Sequence, residues 1–298
     1  MKFTDSPVIE LPVNDAVLTL QQDNGSMHVG TSVWPCSLVL VKFTERWASP
    51  SDNNPYSHVL DFGGKRAVEL GTGCGVAGMG LFLLGLTDLV LTDISPVMPA
   101  LKRNLKVNKP ILRKALKHSV LYWNNPQQIA ALNPPFDFVV ATDVVYIRET
   151  VPSLVSAMET LVSDDGVVLL GYQLRAPEAH ELFWELCDKS FHIEKVPHEH
   201  LHPDYAYEEA DVFLLRKKKR EAVSEWVRVM GNISISVCNC MSILKIEFEI
   251  MWIMFLYFIM KIRCKYLIPS KSYLKLFLMH LEWILHVEFC LNLVSWYF

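Results

Sequence analysis

The 298-residue chain is predicted to fold as an α/β protein, a doubly wound and mainly parallel sheet with helices on both faces. Three observations predict it. An apolar run ends in a glycine-rich turn that opens a helix, Val68-Glu69-Leu70-Gly71-Thr72-Gly73-Cys74-Gly75. Short apolar runs then alternate with helix-like segments through residue 216. The residues best able to do chemistry, Asp93, Trp123, Asp143 and Tyr146, fall at the ends of those runs, where open α/β sheets place their ligands.

Taken in order, residues 9–20 alternate weakly and are expected to form a small N-terminal β element. The run through Leu70 reads as a buried strand and residues 76–85 as the helix after it. Glycines let the chain turn sharply between them and let a ligand approach bare backbone N–H groups. A dinucleotide fingerprint spaces its glycines Gly-x-Gly-x-x-Gly, with a diphosphate on the helix N-terminus. Here they fall at 71, 73 and 75, with Gly78 one turn on, and Glu69 stands two positions before the first. A carboxylate there would repel a diphosphate and suits a cationic ligand such as S-adenosylmethionine, which carries an ammonium and a sulfonium. No Gly-Lys-Ser/Thr follows, which excludes a P-loop. A diphosphate site, or a turn that binds nothing, remain the alternatives at this point.

Residues 89–92 read as a second buried strand ending at Asp93, 24 positions beyond Glu69. That separation fits a βαβ unit whose strand-tip carboxylate accepts hydrogen bonds from both ribose hydroxyls. Asp93 could equally cap a helix, although Ser95 as N-cap with Pro96 at the first helical position would suffice for that. Residues 119–123 read as a third strand closed by Trp123, whose ring either covers an adenine or packs in the core. The turn Asn124-Asn125-Pro126 follows. The run from Phe136 to Tyr146 delivers Asp143 and Tyr146 to a strand's carboxyl end, the expected reaction centre. A helix over 152–162, a strand over 166–172, a helix over 177–189 and strands over 191–196 and 211–216 complete the pattern.

In that order, Glu69-Leu70-Gly71-Thr72-Gly73-Cys74-Gly75, Thr92-Asp93, Leu121-Tyr122-Trp123 and Asp143-Val144-Val145-Tyr146 resemble the seven-β-strand protein-lysine methyltransferases related to the valosin-containing-protein lysine methyltransferase. Upstream, Val33-Trp34-Pro35-Cys36-Ser37-Leu38-Val39-Leu40 is similar to the family's Val-Trp-x-x-x-x-x-Leu segment, whose Trp helps enclose the cofactor. The likeness spans roughly residues 5 to 216. It implies a Rossmann-like methyltransferase sheet of seven strands and S-adenosylmethionine as cofactor. Trp34, Glu69, Gly71, Thr72, Gly73, Asp93, Trp123 and Thr142 would hold that cofactor. Asp143 would orient the target amine, and Tyr146 would shape its channel. Thr142 stands where many relatives carry Ala. The run His198-Glu199-His200-Leu201-His202 matches no family role and is expected near the substrate mouth.

The chemistry the resemblance implies is demanding. In-line methyl transfer from a sulfonium needs a neutral nucleophile, close approach and exclusion of water. A free lysine has a pKa of about 10.4, so less than about 0.1% of it is neutral at pH 7. The site must therefore hold the amine and let a proton leave. The ordinary alternative makes Asp143 a helix cap and Tyr146 a packing residue.

Charge narrows the acceptor. The formal net charge is −4, divided between −9 for residues 1–216 and +5 for residues 217–298. An acidic catalytic region argues against nucleic acid, whose phosphates need a basic groove. It suits a protein substrate presenting a lysine. Seven cysteines show no paired ligand spacing and sit with an intracellular location. His198, His200 and His202 alternate as strand neighbours would, but with no second ligand pair no metal is expected. Asp5, Pro7 and Glu10 interrupt any secretory core. Cytoplasm, with the nucleus as a second location, and a monomeric state are the expectations.

The domain organisation follows. Residues 1–35 form the β element and a cofactor-covering segment, 36–216 the methyltransferase domain, and 217–298 a basic run and a hydrophobic tail. The tail begins Lys217-Lys218-Lys219-Arg220 and then holds one glycine and one proline, Gly231 and Pro269. As a membrane anchor it is short, since its longest apolar run covers residues 250–260 and a span needs about 20. It could pack as extra helices, or be translated non-coding sequence after a complete domain, which its composition fits best. Two function classes stand: a protein-lysine methyltransferase, with histidine or small-molecule methylation as its variant, and a non-catalytic cofactor-binding protein.

Overall fold

The computed structural model describes residues 4–48 and 53–218, so the readings of the tail beyond Lys218 lie outside the described residues. At the amino terminus β1 (Val8–Val13) and β2 (Ala16–Gln21) form an antiparallel hairpin. β1 alternates exposed and buried residues, as a strand with one covered face does. The free backbone of β2 is satisfied by two buried asparagines. Thr19 N–H donates to Asn108 Oδ1 and Gln21 N–H to Asn104 Oδ1, both at 2.8 Å. Asn104 Nδ2 also donates to Cys74 O at 3.0 Å, which ties the hairpin to the glycine turn.

The segment around Val33–Leu40 opens α1 (Pro35–Trp47). Trp34 stands at its N-cap and Pro35 in its first turn, where a missing N–H costs nothing. Residues Cys36 through Thr44 are all buried, so α1 is enclosed on every side.

The main sheet is built from β3 (Arg66–Leu70), β4 (Asp88–Asp93), β5 (Lys117–Val120), β6 (Phe136–Thr142), β7 (Val162–Tyr172), β8 (Phe191–Lys195) and β9 (Asp211–Lys217). Its order is β5-β4-β3-β6-β7-β9-β8. All pairings are parallel except the two made by β9. Connecting helices are α2 (Val76–Leu83), α3 (Met98–Val107), α4 (Lys109–Leu112), α5 (Pro126–Ala131), α6 (Val151–Leu161) and α7 (Pro177–Ser190). Period-2 alternation splits the inner strands between two cores. In β3, Ala67 joins the core shared with the hairpin, α1 and α2, while Val68 and Leu70 join the core under α6 and α7. The predicted doubly wound sheet of seven strands is therefore present, and the N-terminal element shares its core. No helix of the described residues is long and apolar enough to cross a membrane.

Several boundaries differ from expectation. The third strand covers 117–120 rather than 119–123, and Trp123 lies in a turn beyond it. β5 is the sheet's edge, where Lys117 and His118 are exposed, so the apolar pattern used to place it was displaced. The helix after Asp93 starts at Met98, with Val97 at its cap and Pro99 in its first turn. Ser95 and Pro96 form a preceding turn, with Val97 N–H donating to Ile94 O. β7 begins at Val162, because a register shift opposite Phe136 and Phe138 accommodates the exposed Asp164 and Asp165. Lys217 and Lys218, the first of the basic run, close the domain, one in β9 and one bonded through its N–H to Ser190 O.

Candidate active site

A cavity of about 680 Å³ opens at the carboxyl ends of β3, β4 and β6, a size usual for a small-molecule site. Strand order changes direction beside β3, so the turns after β3 and β6 diverge and leave a crevice. Trp34, Gly71, Thr72, Gly73, Asp93, Trp123, Thr142, Asp143 and Tyr146 all line it.

The glycine turn is held by its neighbours. Thr72 N–H donates to Thr92 O at 2.9 Å, and Gly73 N–H donates to Asp93 Oδ2 at 2.8 Å. Ile94 N–H reaches Asp93 Oδ1 at 2.7 Å. Asp93 thus braces the turn while its outer lone pairs face the cavity. Burial raises its carboxyl above the ordinary value, against the two backbone donors that lower it. Gly73 has a φ of 56°, and a Cβ there would lie 2.8 Å from Gly30 O. Only glycine lets the turn meet the covering segment this closely.

Glu69 departs from the sequence reading. Its side chain points toward α2, fully buried beneath the turn, and does not line the cavity. Thr72 Oγ1 donates to its Oε2 at 2.5 Å, and Oε1 has no partner. A Cβ on Gly78 would lie 2.4 Å from Oε2, so the acid occupies the notch that this glycine leaves in α2. Burial without a cation pushes Glu69 up to about 8, against the hydrogen bond from Thr72. Burial thus favours a neutral acid supporting the turn over the anion facing a cationic ligand that the sequence suggested.

The β6 end is different. Asp143 follows Thr142 with a φ of 58°, a left-handed conformation that Asp tolerates, and its N–H donates to Gly171 O at 2.9 Å. Its carboxylate receives Arg175 Nε at 2.8 Å on Oδ1 and Arg175 Nη2 at 2.5 Å on Oδ2. The two side chains are 4% and 14% exposed. The guanidinium also lies 4.7 Å from the Trp34 ring centroid, and the Trp34 ring N–H donates to Val29 O at 2.9 Å. Burial, and next the charge of Asp143, hold the Cys36 thiol well above the usual thiol range. Burial, and next Asp93 and Asp143, raise Tyr146, so its phenol stays protonated at neutral pH as a hydrogen-bond donor.

Sequence reasoning missed Arg175 and Cys36. Arg175 was findable: it stands three residues past β7 and just before the Pro177 that opens α7, at the edge of the crevice that such a sheet predicts. Cys36 offers no such signal, since a lone cysteine on a buried helix reads as core. The His198–His202 run was misplaced. It forms turns of 3-10 helix against the carboxyl end of α1, where Tyr56 Oη and His200 Nδ1 are 2.8 Å apart and Trp47 Nε1 donates to His200 O at 2.7 Å. None of residues 197–209 lines the cavity.

A seven-stranded sheet with β9 antiparallel between β7 and β8, and a crevice over the glycine turn after β3, defines a methyltransferase of the Rossmann-like class. Residues 13–190 match the family model described as lysine methyltransferase. The protein N-lysine methyltransferase METTL21A of Danio rerio is 32% identical over 180 residues, covering 60% of this chain and 76% of that protein. EEF1A lysine methyltransferase 3 of Mus musculus is 28% identical over 206 residues, covering 68% of this chain and 79% of that protein. The chain belongs to the lysine methyltransferase family.

Proposed function

We propose that this protein transfers a methyl group from S-adenosylmethionine to a lysine side chain of a protein substrate. One observation carries the reading: a single cavity is lined both by the Gly71–Gly73 turn with Asp93 and by Asp143 with Tyr146, so a cofactor and an acceptor can share it. The residues fit the cofactor. Asp93 offers carboxylate lone pairs beside the turn for ribose hydroxyls. Trp34 and Trp123 supply flat apolar faces, Gly71, Thr72 and Gly73 supply close backbone, Thr142 adds to the wall, and Glu69 supports the turn from below. Bound S-adenosylmethionine supplies an electrophilic methyl on a sulfonium.

The remaining work falls to the chain. Asp143 and Tyr146 present a fixed acceptor and a phenolic donor between which an amine can be aligned, and alignment of this kind supplies much of the rate. The net charge of −9 over residues 1–216 suits a partner whose surface is cationic.

The test is to incubate the full chain with methyl-tritiated S-adenosylmethionine and a cell lysate, then to map the label by mass spectrometry. Label on lysine of a protein is expected. Label confined to histidine, lipid, RNA or a small molecule would overturn the proposal.

A further inference from the structure

The carboxylate expected to receive the target amine is already paired. Arg175 binds both oxygens of Asp143 and is itself covered by Trp34, so it is clamped on two sides rather than free to swing away. An unpaired Asp143 would attract an ammonium and make its proton harder to remove, because an opposite charge within roughly 4–6 Å favours the charged form. That is the wrong state for a nucleophile. We infer that Arg175 is a positioning residue for methyl transfer: by binding both Asp143 oxygens it offsets the charge of that anion and so favours the neutral amine form of the target lysine in the cavity. A cationic neighbour is a general means of favouring a neutral, nucleophilic lysine. The inference rests on the lysine reading above.

Around the pair stand three neutral groups and three acids, so the cancellation concerns the charge of Asp143 alone. Cys36 from α1, Tyr146 after β6 and Tyr172 from β7 all titrate above their ordinary values, chiefly through burial, and are neutral at pH 7. Glu209, ahead of β9, faces Arg175 and accepts from Gln173 Nε2 at 3.3 Å. Of the other acids lining the cavity, Asp93 is bonded to two backbone N–H groups, and Glu149 stands in the 3-10 turn before α6.

The lysine ammonium first releases one proton to water. Its Nζ lone pair then forms the N–C bond while the methyl C–S bond breaks and that electron pair returns to sulfur. The products are a methylated ammonium, which sheds a proton to water, and a neutral thioether.

R175Q and R175K test the inference on the full chain, with the substrate protein found by the labelling experiment and with thermal melting as a check of folding. Gln keeps a hydrogen bond to Asp143 but no charge; Lys keeps the charge but not the two-pronged grip. The pH dependence of kcat reports groups in the enzyme–substrate complex. In the wild type the alkaline limb is expected to finish at least about one pH unit below the 10.4 of free lysine. In R175Q it moves up by about a unit, a roughly tenfold loss near pH 7.5 that disappears near pH 10. R175K restores the wild-type limb with a lower plateau. A second readout needs no turnover: substrate carrying [ε-13C]lysine is titrated by NMR in the complex with S-adenosylhomocysteine. The target lysine should titrate below 10.4 with the wild type and about a unit higher with R175Q. Equal loss at every pH, with an unshifted NMR titration, would make Arg175 structural only and overturn the inference. Absence of any labelled lysine with the wild type would instead sink the lysine reading itself.

Discussion

Two buried carboxyl groups lie beside the crevice, and the fold treats them in opposite ways. Glu69 sits under the glycine turn with one hydroxyl donor, one orphaned oxygen and no cation, and burial pushes it up to about 8. Asp143 is almost as buried but carries Arg175 on both oxygens. The difference teaches what a buried acid is for in this molecule. Without a counter-charge, a carboxyl keeps its proton and serves as a neutral prop. With a guanidinium held in two-point contact, it becomes a fixed ion pair that can meet a substrate without imposing a net charge.

The largest effect should come from breaking the paired side. Asp143→Ala is expected to lower methylation about 10²-fold or more, toward background, because the amine loses its alignment. Binding of S-adenosylhomocysteine, measured by calorimetry, should survive; wild-type turnover in this variant would remove Asp143 from the acceptor site. A smaller effect is expected at Asp93, which belongs to the turn side. Asp93→Ala should weaken S-adenosylhomocysteine binding by about 1.5–3 kcal/mol, roughly ten- to a hundredfold, as expected for hydrogen bonds to a charged group. An unchanged Kd would show that the ribose lies elsewhere.

At Glu69 the expected effect is a slope rather than a loss. Its folded value of about 8 lies above the ordinary 4.5, so the folded state holds a proton that the unfolded state gives up. The stability this contributes is fully present below about 4.5, declines as pH rises, and is gone above about 8. Glu69→Gln copies the neutral acid without titrating. The melting-temperature difference between wild type and Glu69→Gln should therefore shift steadily against the wild type from pH 5 to pH 8. A constant difference across that range would mean that Glu69 is ionised in the folded protein and that the contrast with Asp143 is wrong.

Much of the crevice was legible because its parts are local in sequence. The turn at Gly71 to Gly75, Asp93 at a strand tip and Asp143 after an apolar run each follow from a strand pattern of a few residues. Edge and irregular elements were not. Lys117 and His118 lie in a strand exposed on both faces, and Val162 starts a strand whose register shifts, so neither shows the clean periodicity that marks a buried one. The stitching of the hairpin by Asn104 and Asn108 was equally invisible, because buried amides are read as solvent-facing until the backbone they satisfy is known.

By itself, then, the sequence determined the doubly wound class, the strand that carries the glycine turn and the ends at which Asp93, Asp143 and Tyr146 stand, since periodicity and turn chemistry are properties of neighbouring residues. Tertiary structure alone decided charge. Whether Glu69 is an anion depends on what α2 places over it, and whether Asp143 is a free anion depends on Arg175, 32 residues further on, and on Trp34 from the amino-terminal side. Electrostatics acts through space and dielectric, not along the chain, so the same two carboxyls read identically in sequence and oppositely in the fold.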